Sequence, residues 1–292
     1  MTALVCLVTG ATGGIGYETA RGIALTGATT IIVGRDEART EAAAQRLSRE
    51  TGAKVEPLLC DLSSQEHVKN LVTQVRQQFP QLNTLINNAG VFTMCRSLTV
   101  DGIEQQWAVN ALAYYMIAES LADLLVLNAP GRIIQVSSDA HYNGTIDFDD
   151  LSGAQRYSGI RAYAQSKLAN VLHTYDLAQR LAGSDVTINC LHPGVIRTGI
   201  AMNNGGLVAL AMRIRGLFTP GPDDGARTSV YLATSPKVAN MSGTYFESCR
   251  PKRSAPLSYD TSVQAQLRAA CAQLTGVLPY QLHEPGSDNT QT

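Results

Sequence analysis

Short apolar segments alternate along the chain with longer segments in which apolar residues recur at helical spacing. This alternation is typical of a parallel β-sheet with helices on both faces, because its strands are buried on both sides and each crossover needs a helix. The chain is therefore predicted to be an α/β protein with a doubly wound sheet of seven parallel strands. The predicted strands are residues 4–8, 30–33, 55–59, 84–86, 133–136, 187–191 and 243–246, and the predicted helices are residues 15–26, 36–49, 64–79, 103–128, 157–181 and 225–233.

The length and composition favour a single domain. The 292 residues, 45% of them hydrophobic and 16% charged, suit one large core better than two small ones. We expect this domain to span residues 1–283 and a disordered polar tail to follow at 284–292. Long insertions at 140–158 and 196–222 follow predicted strands at the edge where such sheets bind ligands. We predict that residues 196–222 form a substrate lid; the alternative is a surface insertion without function.

The charge, cysteine and N-terminal patterns exclude several classes of protein. The net charge of −1 without a basic run argues against a nucleic-acid partner. The six cysteines lie far apart, without a C-x-x-C pair and mostly within apolar segments, so we expect buried, reduced thiols and no metal site. No basic segment precedes the first apolar stretch, which ends at Gly10, so we expect no signal peptide, no transmembrane segment and a cytoplasmic location.

A glycine-rich turn, residues 9–16, directly follows the first predicted strand. It reads Thr-Gly-Ala-Thr-Gly-Gly-Ile-Gly, and Ile15 opens an amphipathic helix. Glycines let the backbone turn tightly, and the free N–H groups at a helix N-terminus favour an anion such as a diphosphate. A plain connection can also use glycine, but this position between the first strand and the first helix predicts a nucleotide site. We call residues 9–16 the glycine turn.

The ends of the second and third predicted strands bear on the choice of cofactor. An acid after the second strand would pair the ribose hydroxyls of NAD, whereas an arginine would meet the 2′-phosphate of NADP. Arg35 stands there and favours NADP. Asp36 competes with this interpretation but is well placed to cap the next helix. Asp61 and Leu62 follow the third strand, where a carboxylate would lie near the adenine or serve only as a turn residue.

A tyrosine and a lysine share one face of a predicted helix. Tyr163 and Lys167 are four residues apart, so their side chains are neighbours. A free tyrosine titrates near ~10, and a cation beside the phenol favours the phenolate, which would bring the proton within reach of neutral-pH chemistry. Tyr163 is therefore predicted to act as a general acid. Such pairs are also common on solvent-facing helices, so the prediction depends on the residues around them.

Further polar residues end the neighbouring strands or interrupt a helix. Ser137 and Ser138 end the fifth predicted strand and offer a hydroxyl to hold a substrate oxygen. Residues 87–90, Asn-Asn-Ala-Gly, end the fourth strand and would wall the adenosine side of a cofactor. Asn110 lies inside a long helix, where asparagine is a poor helix former unless its side chain has another partner. Each residue has an ordinary explanation alone, but together they predict an active site.

In this order, these motifs resemble those of the short-chain dehydrogenase/reductase family over nearly the whole chain. Within it they are similar to the retinol dehydrogenase-like branch, through the serine pair followed by His141, the segments 162–172 and 191–195, and residues 242–246 with Cys249. The resemblance implies a Rossmann-type fold and an NADP-dependent oxidoreductase that reduces an apolar aldehyde or ketone, retinal-like or lipid-derived. A non-catalytic NADP-binding regulator and an NAD-linked alcohol dehydrogenase remain alternatives.

The resemblance also implies roles for single residues. Tyr163 would donate the proton, and Lys167 would lower its pKa and hold the nicotinamide ribose. Ser138, rather than Ser137, would bind the substrate oxygen, and Asn110 would hold a proton-relay water. The residues expected to contact the cofactor are Gly10, Thr12, Gly13, Gly14, Ile15, Gly16, Arg35, Asp61, Leu62, Asn88, Ala89, Gly90, Tyr163, Lys167, Pro193, Gly194, Val195 and Thr198.

The proposed lid has an apolar composition with two basic residues. Residues 207–217 are mostly apolar and, with Met202 and Met212, suit a cover for an apolar substrate. Arg213 and Arg215 in the same stretch would also suit contact with a membrane surface, and a plain packed helix is a third interpretation. The expected partner is a small apolar carbonyl or alcohol; the sequence leaves the oligomeric state open, a homo-oligomer included.

Overall fold

The computed structural model describes residues 3–194 and 221–282. Two predicted cofactor contacts, Val195 and Thr198, lie outside the described residues. So do the proposed lid, except for residues 221 and 222, and the proposed tail at 284–292.

One sheet of eight strands forms the centre of the described fold, in the order β3-β2-β1-β4-β5-β6-β7-β8. The first seven strands are parallel, as predicted, and β1 pairs with both β2 and β4, so that the strand order reverses between β1 and β4. The Rossmann-type α/β architecture is therefore confirmed. The strands are β1 Val5–Thr9, β2 Thr29–Gly34, β3 Val55–Leu59, β4 Thr84–Asn87, β5 Gly131–Val136, β6 Val186–His192, β7 Thr244–Glu247 and β8 Arg250–Pro251.

The predicted count of seven strands is wrong, because β8 adds a short antiparallel strand to β7. With two residues, both exposed, β8 is too short to show the alternation that marks a strand in sequence. The turn between β7 and β8 holds Ser248 and Cys249 at positive φ, +49° and +60°. This hairpin is therefore set by pairing with β7 and not by a local sequence signal.

Seven helices flank the described part of the sheet, one more than predicted. The additional helix, α7, buries only two large apolar or thiol side chains, Leu267 and Cys271, so its apolar face is narrow. Its boundaries are marked by the N-cap Asp260 and by the C-cap Gly276 at φ +68°. Both residue types are typical of helix ends, so capping preferences could have indicated this helix. The helices are α1 Gly14–Ala24, α2 Glu37–Thr51, α3 Gln65–Gln78, α4 Gln105–Leu127, α5 Gly159–Arg180, α6 Pro222–Thr234 and α7 Thr261–Thr275.

The strand side chains alternate between two apolar cores, one on each face of the sheet. Leu7 and Ile31 pack in one core with residues of α3, α4 and α5. Cys6 and Ile32 pack in the other with residues of α1, α2 and α6. Because successive strand residues point to opposite faces, both faces need a covering layer of helices. The predicted double winding follows from this pattern.

Helix α4 is the most apolar of the described helices. Its 23 residues would be long enough to cross a membrane, but 83% of the apolar window is buried inside the fold. The apolar composition of α4 is therefore explained by its place in the core, where it packs against α3 and α5.

Four of the six cysteines are buried, as predicted for small apolar side chains. Burial raises the pKa of Cys60 and of Cys190 to about 12, which keeps both thiols protonated and unreactive at neutral pH. Cys95 departs from the prediction because it is exposed, and Cys249 is only half-buried.

Candidate active site

The polar motifs of the sequence meet at one edge of the sheet. Thr9 ends β1, Asn87 ends β4, Val136 ends β5 and His192 ends β6. Because these strands are parallel, their carboxyl ends lie at the same edge. This edge includes the point between β1 and β4 where the strand order reverses, which is where open α/β sheets bind ligands.

The glycine turn is shaped by close backbone contacts. Gly10 and Gly14 have φ values of +67° and +57°, which other residues rarely adopt. A Cβ atom on Gly16 would lie 2.3 Å from the carbonyl oxygen of Gly10, so only glycine fits there. Gly13 differs, since a Cβ atom built on it meets nothing within 4 Å among the described residues.

The first helix begins at this turn without a side-chain cap. Gly13 is the N-cap of α1 and has no side chain to bind the first N–H groups, and the neighbouring Ile15 is buried. Uncapped N–H groups at a helix start attract an anion. With open space beside Gly13, the turn fits the diphosphate of a dinucleotide.

Asn88 ties the end of β4 to the glycine turn. Its Nδ2 donates to the carbonyl oxygen of Thr9 at 2.8 Å, and the backbone N–H groups of Asn88 and Ala89 donate to Thr9 Oγ1 at 2.9 and 3.1 Å. The segment predicted to wall the adenosine therefore also braces the turn that precedes α1. Gly90 continues it, and a Cβ atom there would lie 3.7 Å from Lys167 Nζ.

The residues after β2 and β3 lie further along the same edge. Arg35 is exposed directly after β2, and Thr12 of the glycine turn packs beside Gly34. Asp36 caps α2, with its Oδ1 accepting from the N–H of Arg39 at 2.9 Å, which confirms the capping interpretation. Asp61 Oδ1 accepts from the N–H and hydroxyl of Ser63 at 3.0 and 2.8 Å and thus shapes a turn, and Leu62 is buried.

Asn110 is buried in a π-helical turn of α4, residues Ala108–Leu112. Its Oδ1 accepts from the N–H of Val91 at 2.8 Å, and its Nδ2 donates to the carbonyl of Val91 at 2.9 Å and to Ser166 Oγ at 3.1 Å. These partners explain an asparagine inside a helix, as predicted. π-Turns loosen the regular hydrogen-bond pattern and are frequent at functional sites.

Lys167 is buried below the site. Its Nζ donates to the carbonyl oxygen of Val136 at 2.9 Å and lies 5.7 Å from the centre of the Tyr163 ring. Only 3% of Lys167 is exposed, and burial lowers its pKa to about 7. An ammonium with one protein acceptor in the described residues has further N–H groups to offer a ligand.

The pKa of Tyr163 departs from the sequence-based expectation. Burial raises the pKa of this phenol, a hydrogen bond with Ser138 lowers it by less, and the charge of Asp139 raises it. The expected lowering by Lys167 is not found, because the lysine is itself buried and loses charge near neutral pH. The side chains of the protein alone thus favour the phenol over the phenolate.

The two serines after β5 have different surroundings. Ser137 Oγ is buried and donates to the carbonyl oxygen of Lys167 at 2.8 Å, so its proton is engaged in the scaffold. Ser138 Oγ lies beside Tyr163, accepts from the N–H of Ala140 at 3.2 Å and donates to Asp139 Oδ1 at 3.1 Å. Ser138 is therefore the serine that can face a substrate.

Two buried histidines next to this loop were not assigned a role from the sequence. His141 Nδ1 lies 2.6 Å from the carbonyl oxygen of Ser138, and its Nε2 accepts from the N–H of Ala255 at 3.1 Å. His192 Nδ1 accepts from the N–H of Asp139 at 3.3 Å. Both histidines hold the backbone around Ser138. Two of these contacts, His141 with Ala255 and His192 with Asp139, join residues that are distant in sequence.

The last predicted contacts follow β6. Pro193 and Gly194 are half-buried at the same edge as the glycine turn, and Gly194 has a φ of +94°, which requires glycine. These two proposed contacts therefore lie directly after His192, at the carboxyl end of β6.

Comparisons with known proteins agree with this site. The sequence model of the short chain dehydrogenase family matches residues 4–206. Human retinol dehydrogenase 14 is 38% identical over 93% of this chain and 86% of its own, and human polyprenol dehydrogenase is 37% identical over 95% and 87%. A short chain dehydrogenase from Burkholderia cenocepacia, solved in complex with NADP, superposes with a TM-score of 0.66 at 28% identity, covering 82% of this chain and 94% of its own. The chain belongs to the short-chain dehydrogenase family of oxidoreductases, in its retinol dehydrogenase-like branch.

Proposed function

We propose that this protein reduces an apolar aldehyde or ketone to the alcohol, using NADPH. The observation that carries the proposal is the placement of Tyr163, Ser138 and Lys167 beside one another, at the edge that also holds the uncapped start of α1. The substrate class is supported by two relatives named for retinol and polyprenol, which are both apolar isoprenoid alcohols. We propose a retinal-like or other lipid-derived carbonyl.

The residues at the edge fit NADP. Gly13 and Gly14 at the start of α1 would hold the diphosphate, Arg35 would hold the 2′-phosphate, and Tyr163 with Lys167 would hold the nicotinamide ribose. When bound there, the cofactor supplies a hydride, one hydrogen nucleus with two electrons, to the carbonyl carbon. The NADP complex of the Burkholderia cenocepacia relative supports this choice. Asp61, Leu62, the segment 88–90 and the segment 193–195 with Thr198 remain proposed contacts.

The side chains of the protein would handle the carbonyl oxygen and its proton. Tyr163 would donate its hydroxyl proton to this oxygen, and the Ser138 hydroxyl would donate a hydrogen bond to the charge that develops there. The buried Lys167 would orient the ribose and supply positive charge while it is protonated. Asn110, whose amide is already bound to Val91 and Ser166, would hold a relay water through the loosened backbone of its π-turn.

Oxidation of NADPH by a panel of carbonyls tests the proposal. Apolar aldehydes such as retinal and isoprenoid aldehydes should be reduced, whereas short polar ketones should react poorly. Binding of NADPH without turnover on any carbonyl would favour a regulator. Turnover confined to NAD and alcohols would favour an NAD-linked dehydrogenase. The cytoplasmic location and the lid at 196–222 stay predictions.

The Arg35→Ala variant should bind NADPH about ten- to a hundredfold more weakly, because a charge-assisted hydrogen bond to phosphate contributes about 1.5–3 kcal/mol. Its affinity for NADH should change little, since NADH has no 2′-phosphate. Quenching of protein fluorescence during titration with each cofactor gives both dissociation constants. Arg49→Ala, which removes the same charge at the far end of α2, is the matched control. Equal losses for the two cofactors would remove the assignment to NADP.

Two glycines of the glycine turn should respond differently to alanine. Gly16→Ala places a Cβ atom 2.3 Å from Gly10 O and 2.4 Å from Asn88 Nδ2, so the free energy of unfolding should fall by about 1–3 kcal/mol. Gly13→Ala meets no neighbour within 4 Å among the described residues and should cost less than about 1 kcal/mol of unfolding free energy. It should nevertheless weaken NADPH binding, because its methyl group enters the open space beside the turn. Urea unfolding and cofactor titration of both variants separate the two effects. An unchanged NADPH affinity in Gly13→Ala would place the diphosphate elsewhere.

A further inference from the structure

The carboxylate of Asp139 contacts the same hydroxyl group that lies beside Tyr163. Ser138 Oγ donates to Asp139 Oδ1 at 3.1 Å and also shares a hydrogen bond with the Tyr163 side chain. A serine hydroxyl has one proton to donate. Asp139 therefore competes for that proton with the oxygen of Tyr163 and with the oxygen of a substrate.

His192 fixes the orientation of Asp139. The N–H of Asp139 donates to His192 Nδ1 at 3.3 Å, so the neutral imidazole carries its proton on Nε2, which lies 4.0 Å from Asp139 Oδ2. Burial lowers the pKa of His192 and favours this neutral form. The Asp139 side chain is 57% exposed. In the described part of the chain no lysine or arginine forms an ion pair with it, although Lys252, which is paired with Glu247, senses its charge from a longer distance. The carboxylate is therefore not neutralised by a direct ion pair.

We propose that Asp139, oriented by His192, sets the pH at which Tyr163 changes from proton donor to proton acceptor. The inference rests on the proposed function of Tyr163. An ionised Asp139 attracts the Ser138 proton and repels negative charge on the Tyr163 oxygen, and both effects favour the phenol. A neutral amide at the same position still offers an acceptor oxygen, but without the negative charge it attracts the Ser138 proton less strongly and no longer repels a phenolate. Asp139 thus acts through Ser138 as a positioning residue.

Other titratable groups lie near Tyr163 and Asp139, and their contribution to a pH profile must be separated from that of Asp139. Lys167 has a pKa of about 7 because of burial, so it also titrates near neutral pH. Only the difference between Asp139 variants therefore isolates the carboxylate. The groups that face Tyr163 or Asp139 in the described residues are Lys167 on α5, Tyr114 on α4, His141 and Tyr142 after β5, His192 at the end of β6, Tyr245 on β7, and the paired Glu247 and Lys252 at the β7–β8 hairpin.

The Asp139→Asn variant tests the proposal through the pH profiles of kcat/KM in both directions. In each profile the midpoint, where carbonyl reduction falls or alcohol oxidation rises with pH, should lie about one pH unit lower than in the native protein. The two midpoints should move together because they report one group, and oxidation at neutral pH should increase up to about tenfold. Asp139→Glu should keep the native midpoint, as should Asp149→Asn, which removes an exposed charge further along the same loop.

A spectroscopic titration gives a readout that does not depend on turnover. Ultraviolet absorbance of tyrosinate is followed with pH in cofactor-free protein, and each Asp139 variant is compared with its own Tyr163→Phe counterpart to isolate the one phenol. A lower midpoint in Asp139→Asn than in the native protein supports the proposal even if no carbonyl is turned over. Added salt should shrink the difference between the two midpoints, because the carboxylate is half exposed and its charge is screened. Turnover with unmoved midpoints in Asp139→Asn overturns it and leaves the proposed reduction intact.

Discussion

The Tyr163→Phe variant is expected to reduce carbonyls with a kcat about 10²–10⁴-fold below that of the native protein. The substitution removes only the hydroxyl that donates the proton. The ring, which packs edge-on against Phe92 at 5.4 Å, is retained, so KM should change much less than kcat. The affinity for NADPH should fall by no more than the one hydrogen bond that the hydroxyl would give the nicotinamide ribose. Steady-state kinetics with the best carbonyl of the panel, together with cofactor titration, measure these quantities.

Tyr115→Phe is the control for loss of a tyrosine hydroxyl. Tyr115 lies on α4 and donates to the carbonyl oxygen of Val277 at 3.1 Å, so it acts in the scaffold. Its kcat should stay close to the native value even if stability falls. A Tyr163→Phe variant that keeps kcat within a few-fold of native would mean that another group protonates the carbonyl oxygen.

The Glu119→Gln variant should lose about 3–5 kcal/mol of unfolding free energy, because it removes the charge from a buried ion cluster and places an amide N–H group against hydrogen-bond donors. Glu119 is fully buried on α4, where it is paired with Arg180, lies 3.1 Å from His173 Nε2 and accepts from the N–H of Tyr280 at 2.7 Å. Arg180 is also buried and, among the described residues, keeps only Asp176, at 2.9 Å, as a charged partner after the substitution. Urea unfolding of both proteins gives the difference.

An exposed ion pair is the matched control for this cluster. Arg76 and Asp123 pair at 2.6 Å but remain largely exposed, so Asp123→Asn should cost about 1 kcal/mol or less. Equal losses for the buried and the exposed substitution would show that burial does not decide the contribution of the Glu119 cluster.

The Glu119 cluster also predicts how stability depends on pH. Burial opposes the ionisation of Glu119, but the hydrogen bonds and charges of His173 and Arg180 outweigh it and lower the pKa to about 2. An unfolded glutamate titrates near ~4.3, so this group stabilises the fold above that value and the contribution is lost as the pH falls towards 2. Unfolding free energy should therefore fall less steeply with acid in Glu119→Gln than in the native protein. Parallel slopes would contradict the assignment.

The sequence predicted the parts of the fold that depend on local pattern. The seven parallel strands were predicted from apolar segments. The glycine turn was predicted from four glycines within residues 9–16, a density that few other local structures require. Asp36 was likewise recognised as a cap from its position before a helix. The antiparallel β8 and the helix α7 were missed, since one is too short for a pattern and the other has a narrow apolar face.

The site was predictable only where the motif is contiguous or lies on one helix. Tyr163 and Lys167 are neighbours by helical geometry alone. The partners of the Ser138 loop are not, because His192 lies 53 residues from Asp139 and Ala255 lies 114 residues from His141. The direction of the pKa shift of Tyr163 was also missed, since the burial that raises this pKa belongs to the tertiary structure and the neighbour four residues away, Lys167, does not lower it.

Transfer of deuterium from labelled NADPH to the product tests the central claim most directly. NADPH is prepared with deuterium on one or the other face of the reactive carbon of its nicotinamide ring and is incubated with the protein and an apolar aldehyde. We expect one of the two forms to yield an alcohol with a single deuterium on the former carbonyl carbon, and we expect Tyr163→Phe to suppress its formation. An alcohol without the label from both forms, or no alcohol from any carbonyl in the presence of bound NADPH, would contradict the central claim.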